Sequence, residues 1–322
     1  MAFTIPSTLK LVQLKQLALK CGIASSGTKG CLINRLQDEI LLHNASQEHK
    51  DRPVRILSID MGIRNLAYCV LELPTSKKRK GGKKVPILQS WHRLAVSSAP
   101  SPISTLDSDL VVNREMEKES FTPATLSLIA YTLLKKRLLL QNPTHVLIER
   151  QRFRSMGSKH ILEWTVRVNM FESILHGVLR ALKEEGIWKG SVEAITPGRV
   201  GTFWIEDGEE IEPSPEGRKM RNTANAKLQN KGAKMDLVKR WLDKENMIQL
   251  GNSEVDGVAR AYKEKWSRTS PGRRPAAKGV DGEKMGKLDD LADSLLQGMA
   301  WAQWQENKRV VFKDGAEAVL EH

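Results

Sequence analysis

The chain reads as an α/β protein: a mixed sheet of about five strands with helices on both faces, preceded by a small N-terminal helical hairpin. Three observations predict this. Short apolar runs at 54–60, 65–73, 87–96, 145–149 and 191–196 have the length of strands. Amphipathic helical patterns separate the later runs. The first three runs follow one another without a helix, which suits an antiparallel meander, whereas the later strand–helix alternation requires parallel crossovers.

The hairpin comes first. Leu11, Leu14, Leu17 and Ala18 recur at helical spacing, Gly22 interrupts, and Ser25-Ser26-Gly27 makes a turn. A second helix starts near Thr28, with Leu32, Ile33, Leu36 and Ile40 on one face. This pattern resembles the SAP motif, a helical hairpin that binds DNA. Lys10, Lys15, Lys20, Lys29 and Arg35 would direct charge at phosphate; packing onto the main domain alone is the competing reading. Residues 1–45 are thus one unit, 46–53 (within NASQEHKDRP) a linker, and 54–322 the main domain.

Within the main domain, VRILSID (54–60) is a buried strand, followed by NLAYCVLEL and ILQSWHRLAV. KKRKGGKK at 77–84 is too basic and glycine-rich for core and reads as a loop. Residues 124–140 form an amphipathic helix stopped by Asn142-Pro143. HVLIE (145–149) is a strand, 161–185 a long helix, SVEAIT (191–196) a strand. An acidic, proline-containing insertion spans 206–222, and a helix lies near 234–243. The basic 263–287 tract has no period and is expected to be mobile. A last helix begins near Leu288 and passes Trp301.

Composition narrows the function. The formal charge of +13 on 322 residues points to a polyanionic partner, because neutralising phosphates releases condensed counterions. No run approaches the roughly 20 apolar residues of a membrane span. Three scattered cysteines exclude a disulfide framework or a CxxC metal site. Nothing calls for an organic cofactor, and the N-terminus shows no signal or transit pattern, although one could have been removed.

The acids carry the chemistry. Asp60 ends one apolar strand and Glu149 another; on neighbouring strands their like charges would repel unless a cation lay between them. Hard oxygen donors at an open site favour Mg²⁺ or Mn²⁺. Asp290 and Asp293, in LDDLADSLL, share a helix face about one turn apart, with Leu291, Leu295 and Met299 opposite. Asp289 could replace Asp290, and first-turn acids also suit the helix dipole without any catalytic role. Two cations about 4 Å apart would clamp a phosphodiester, one activating water and the other neutralising the leaving oxygen. Lys231 and Lys234 are candidates for the attacked phosphate. Arg150, Arg152 and Arg154 alternate along an extended segment and so share one side. Gly62 would let backbone approach, with Arg64 and Asn65 contacting phosphate. Phe153 and Met156 either wedge between bases or fill core.

Five blocks in order, SIDMGIRNLAY (58–68), IERQRFRS (148–155), TPGRVGTFW (196–204), GAKMDLVKRWL (232–242) and DDLADSLLQG (289–298), resemble the fungal mitochondrial cruciform-cutting Holliday-junction resolvases. These are relatives of RuvC-type resolvases within the ribonuclease H-like superfamily. The resemblance spans about 54–304 and implies a homodimer that cuts two opposed strands of a four-way DNA junction. It implies Mg²⁺ or Mn²⁺, two per site, a mitochondrial location, and Asp60, Glu149, Asp290 and Asp293 as the acids. The competing readings are a nuclease of the same fold for another branched or hybrid substrate, and a non-catalytic nucleic-acid-binding relative that assists intron splicing.

Overall fold

The computed structural model describes residues 3–46, 53–74, 85–96, 120–151, 162–205, 223–269 and 288–321, and only the backbone for 46, 223–230 and 269. Its centre is a sheet of six strands in the order β5-β4-β1-β2-β3-β6. β1 (Arg55–Asp60), β2 (Leu66–Glu72) and β3 (Ile87–Leu94) form the expected antiparallel meander. β4 (His145–Glu149) joins β1 in parallel, and β5 (Ser191–Ile195) joins β4 in parallel. The sixth strand is an addition: β6 is only Gln249–Leu250, pairing with β3 at Ile87 and Leu88. Two residues carry no period, so no sequence pattern could announce it.

β1 is central, and every residue after Arg55 in it is buried. Alternation divides its side chains between two cores. Leu57 and Ile59 face α3 (Pro123–Leu133) and α4 (Glu163–Glu184), packing with Leu126, Ala130, Phe171 and Leu175. Ile56 faces α8 (Leu288–Asp314), in the core that holds Trp91, Leu291, Leu295 and Met299. The expected apolar stripe of α8 is present, but positions 294–301 are buried all round. Two helices cover its outer side: α5 (Pro197–Ile205) and α6 (Thr223–Lys244).

Three helical readings change. The helix expected over 124–140 ends at Leu133 and continues as a π turn over Leu134–Leu138 and a 3-10 turn to Gln141. Asn142, left-handed at φ 51°, closes it. α5 escapes the sequence pattern, because proline and glycine open it. α7 (Ser253–Thr269) corrects the aperiodic reading of 263–287 for residues 263–269; Val255, Ala259 and Tyr262 are buried one helical turn apart. The rest of that tract, 206–222, the 77–84 loop and most of the linker lie outside the described residues.

The hairpin forms as read: α1 (Leu11–Lys20) and α2 (Lys29–Ser46), separated by Gly22 at φ +67°. It is docked on the main domain. Leu14, Leu17, Leu32 and Ile40 share a core with Val311 of α8 and Val319 of α9 (Glu317–Leu320). Gly22 lies against Trp304, where a Cβ would stand 2.3 Å from the indole. Arg199 donates to the Gly22 carbonyl at 3.0 Å and Asn307 to the Lys20 carbonyl at 2.5 Å.

Candidate active site

The parallel register of β1 and β4 builds the site. Ile59 stands opposite Ile148, so the next residue on each strand, Asp60 and Glu149, comes out side by side at the carboxyl ends of the strands. That edge is where open α/β sheets present their ligand crevice. Asp60 is buried, at 9% exposure, and the neighbouring Glu149 carboxyl bears on it through hydrogen bonding and charge. Burial, then the Glu149 bond and charge, then Asp293 and Asp290, hold the Asp60 carboxyl well above the usual carboxylate range.

α8 brings the second pair. Asp60 and Ser58 lie on the α8 face of β1, as alternation from Ile56 requires. Gln297 donates to the Ser58 hydroxyl at 3.1 Å and to the Ile59 carbonyl at 3.2 Å, tying α8 to the strand just before Asp60. One residue on, Gly298 permits close approach: a Cβ there would meet Leu71 Cδ1 at 2.8 Å and Ser58 Cβ at 3.2 Å. Asp290 and Asp293 therefore act electrostatically on Asp60, and Asp289 acts on Asp293.

Each of the three aspartates at 289, 290 and 293 meets a cation. Lys234 Nζ is 2.7 Å from Asp293, Lys231 Nζ 2.5 Å from Asp289, and Arg93 Nε 3.0 Å from Asp290. Burial raises the Asp293 carboxyl and Lys234 pulls it down. The bond to Asp289 raises the Lys231 ammonium. Tyr262 of α7 donates to the Met235 carbonyl at 3.3 Å, bracing the helix that carries both lysines.

Among the described residues, no three His, Cys, Asp or Glu side chains stand close enough to enclose a metal ion. Asp60, Glu149, Asp290 and Asp293 converge within Coulomb reach, with Asp60 and Glu149 on neighbouring strand ends, but not as a closed ligand cage. Both facts are compatible, because charge interactions reach farther than coordination bonds.

The cationic candidates divide. Lys231 and Lys234 belong to the acid cluster. Asn65 accepts from Arg93, and Arg64 stacks 4.9 Å from the Trp164 ring centre. Arg150 is exposed, with its backbone N–H bonded to the Ile195 carbonyl at 2.7 Å. Arg152, Arg154, Phe153 and Met156 lie outside the described residues. In the hairpin Lys10, Lys15 and Lys29 are exposed. Arg35 instead donates to the carbonyls of Ala24 at 2.6 Å and Ser26 at 2.7 Å, organising the turn.

Sequence reasoning missed Arg93 and Gln297. Both had a signal. Arg93 is two residues from Trp91 in a strand, hence on the same α8-facing side. Gln297 is four residues from Asp293, a polar side chain in an otherwise apolar helix stretch.

Residues 56–311 match the family model described as mitochondrial resolvase Ydc2 / RNA splicing MRS1. The chain is 27% identical over 303 residues to the mitochondrial cruciform cutting endonuclease 1 of Schizosaccharomyces pombe, covering 93% of each chain. To the protein of that name from Saccharomyces cerevisiae it is 25% identical over 317 residues, covering 92% of this chain and 82% of the other. In fold it resembles the crystal structure of the yeast mitochondrial Holliday junction resolvase Ydc2, with TM-score 0.58 at 24% identity, over 97% of this chain and 99% of that one.

Proposed function

The chain belongs to the family of mitochondrial resolvase Ydc2 and RNA splicing MRS1, and on that premise we propose that it is a Holliday-junction resolvase acting on mitochondrial DNA. It binds a four-way junction as a homodimer and cuts two opposed strands by hydrolysing phosphodiesters. The observation that carries the reading is the pairing of Asp60 with Glu149 under Asp290 and Asp293. A protein that only bound nucleic acid would gain nothing from burying one carboxyl against another, since like charges oppose both folding and phosphate.

The donor chemistry fits a hard divalent cation. Carboxylate oxygens are what Mg²⁺ and Mn²⁺ take, and a cation beside Asp60 and Glu149 would relieve the repulsion that raises the Asp60 carboxyl. Asp60, Glu149, Asp293 and Asp290 would hold it, two ions serving each site. Bound there, it would lower the pKa of water and neutralise a leaving oxygen.

The remaining roles fall to the chain's own groups. Lys234 and Lys231 keep the α8 acids compensated, and their ammonium groups would bind the scissile phosphate. Arg93 holds Asp290 and Asn65 together, fixing the β1–β2 turn against α8. Arg150, Arg152 and Arg154, which follow Glu149 in the sequence, would grip backbone together with Arg64 and Asn65. The hairpin, with Lys10, Lys15 and Lys29 exposed, extends the phosphate-binding surface. A junction presents paired strands, so two sites related by a two-fold axis are required for symmetric cutting.

The test is cleavage of a synthetic immobile four-way junction with Mg²⁺. Symmetric nicks in opposed arms are expected. Equal rates on linear duplex or an RNA–DNA hybrid would defeat junction selectivity. The family also includes RNA splicing proteins, so structured intron RNA is the third substrate. Tight RNA binding with no cleavage of any substrate would assign the chain to that branch.

A further inference from the structure

Trp164 stands apart from the other tryptophans. Of eight in the chain, seven lie in or against the two sheet cores, and Trp164 does not. It opens α4 at 37% exposure, between Leu162 at 73% and Val166 at 48%. It is nonetheless held in place. The Arg64 guanidinium lies 4.9 Å from its ring centre, and Phe121 meets it edge-on at 5.5 Å and 81°. Arg167 continues the series 4.4 Å over Phe121, while also ion-paired to Glu163. The result is an alternating ladder, Arg64–Trp164–Phe121–Arg167, at the protein surface.

Neither fold nor chemistry explains this. A partly exposed indole forgoes some of the burial that makes tryptophan stabilising, yet its orientation is fixed by Arg64 over the ring and Phe121 against it edge-on. Fixed aromatic faces beside guanidiniums are what an unpaired base and its phosphate need: the ring takes the base, the cation the backbone. The ladder also starts four residues after Asp60, on the turn that leaves β1. The net charge of +13 favours a polyanion over a second copy of the chain at this face.

We infer that Trp164, oriented by Arg64 and Phe121, is a stacking platform for an unpaired base of the nucleic-acid substrate. The inference rests on the junction-cutting reading, in which bases at the branch point are partly unstacked.

The test uses the full chain without divalent ions and a four-way junction carrying 2-aminopurine at the branch point. Stacking on the indole quenches the probe. Trp164→Ala should abolish the quenching and weaken junction binding about tenfold, as loss of one base–aromatic stack implies. Trp164→Phe should keep most of both, and binding to linear duplex should hardly change. Light scattering should show the same oligomeric state for all three proteins. Unchanged quenching and affinity in Trp164→Ala would overturn the platform. A change in oligomeric state accompanying the loss would also overturn it, assigning the face to contact between copies. If the wild-type protein shows no preference for junction over duplex, the junction reading fails. The platform is then judged on the same probe in a single-stranded oligonucleotide.

Discussion

Gly298→Ala should slow cutting while leaving the fold intact, because this glycine sets how closely α8 approaches β1. The added Cβ would stand 2.8 Å from Leu71 Cδ1 and 3.2 Å from Ser58 Cβ. Against an ordinary carbon–carbon separation of about 3.5 Å, the deficits are roughly 0.7 and 0.3 Å. Leu71 can rotate its side-chain end away. Ser58 Cβ is tied to the central strand, so α8 must give by about 0.3 Å. Asp293 lies five residues earlier, about 7.5 Å along the helix, and moves with it. If a 1 Å misplacement costs about a hundredfold, 0.3 Å costs about fourfold in the rate of the chemical step. Stability changes little: overpacking costs about 1–3 kcal/mol and replacing a helical glycine by alanine returns about 1 kcal/mol. Single-turnover cleavage of a saturating junction, together with urea unfolding, separates the two effects. An alanine variant that cuts at the wild-type rate would show that the close approach at Gly298 does not set the acid geometry.

Asp60→Asn should abolish cutting and leave junction binding intact or tighter, since less negative charge faces phosphate; a gel-shift beside a cleavage assay decides, and normal cutting refutes the site. The same variant should alter pH-dependent stability. Asp60 holds its proton more tightly folded than unfolded. Wild-type stability relative to Asp60→Asn therefore falls as pH rises from the ordinary carboxylate range through the raised Asp60 value. In chelator at neutral pH the asparagine variant should be the more stable, and parallel urea midpoints across pH would contradict this. Gln297→Leu strips the Ser58 hydroxyl and Ile59 carbonyl of a buried donor and should cost about 1–3 kcal/mol, read as a lower urea midpoint. Replacing Lys15 and Lys29 by glutamine should reduce the slope of log affinity against log salt by about 0.9 for each phosphate no longer neutralised. An unchanged slope would leave the hairpin as packing alone.

Much of the architecture was legible in the sequence because local pattern and global fold agree. VRILSID and HVLIE are apolar runs ending in acids, and runs of that kind become central parallel strands whose ends lie at one sheet edge. The α8 stripe of Leu291, Leu295 and Met299 shows in its spacing, as does the break at Gly22. Composition already implied a polyanionic partner. What could not be read were consequences of long-range packing. α7 buries Val255, Ala259 and Tyr262 in a core that forms only when β3 and α8 are present. β6 exists only because Ile87 and Leu88 offer an edge.

The site divides along the same line. The linear chain determined which residues are acidic and at which strand or helix ends they fall, because those facts follow from residue type and period. Only the tertiary structure decided that Asp60 and Glu149 lie side by side at the ends of β1 and β4, that Asp290 and Asp293 bear on Asp60, and that Lys231, Lys234 and Arg93 each compensate an acid. The Arg93–Asp290 pair alone joins residues 197 positions apart. The energies of such pairings depend on distance and burial, and neither exists before the sheet and α8 have packed together.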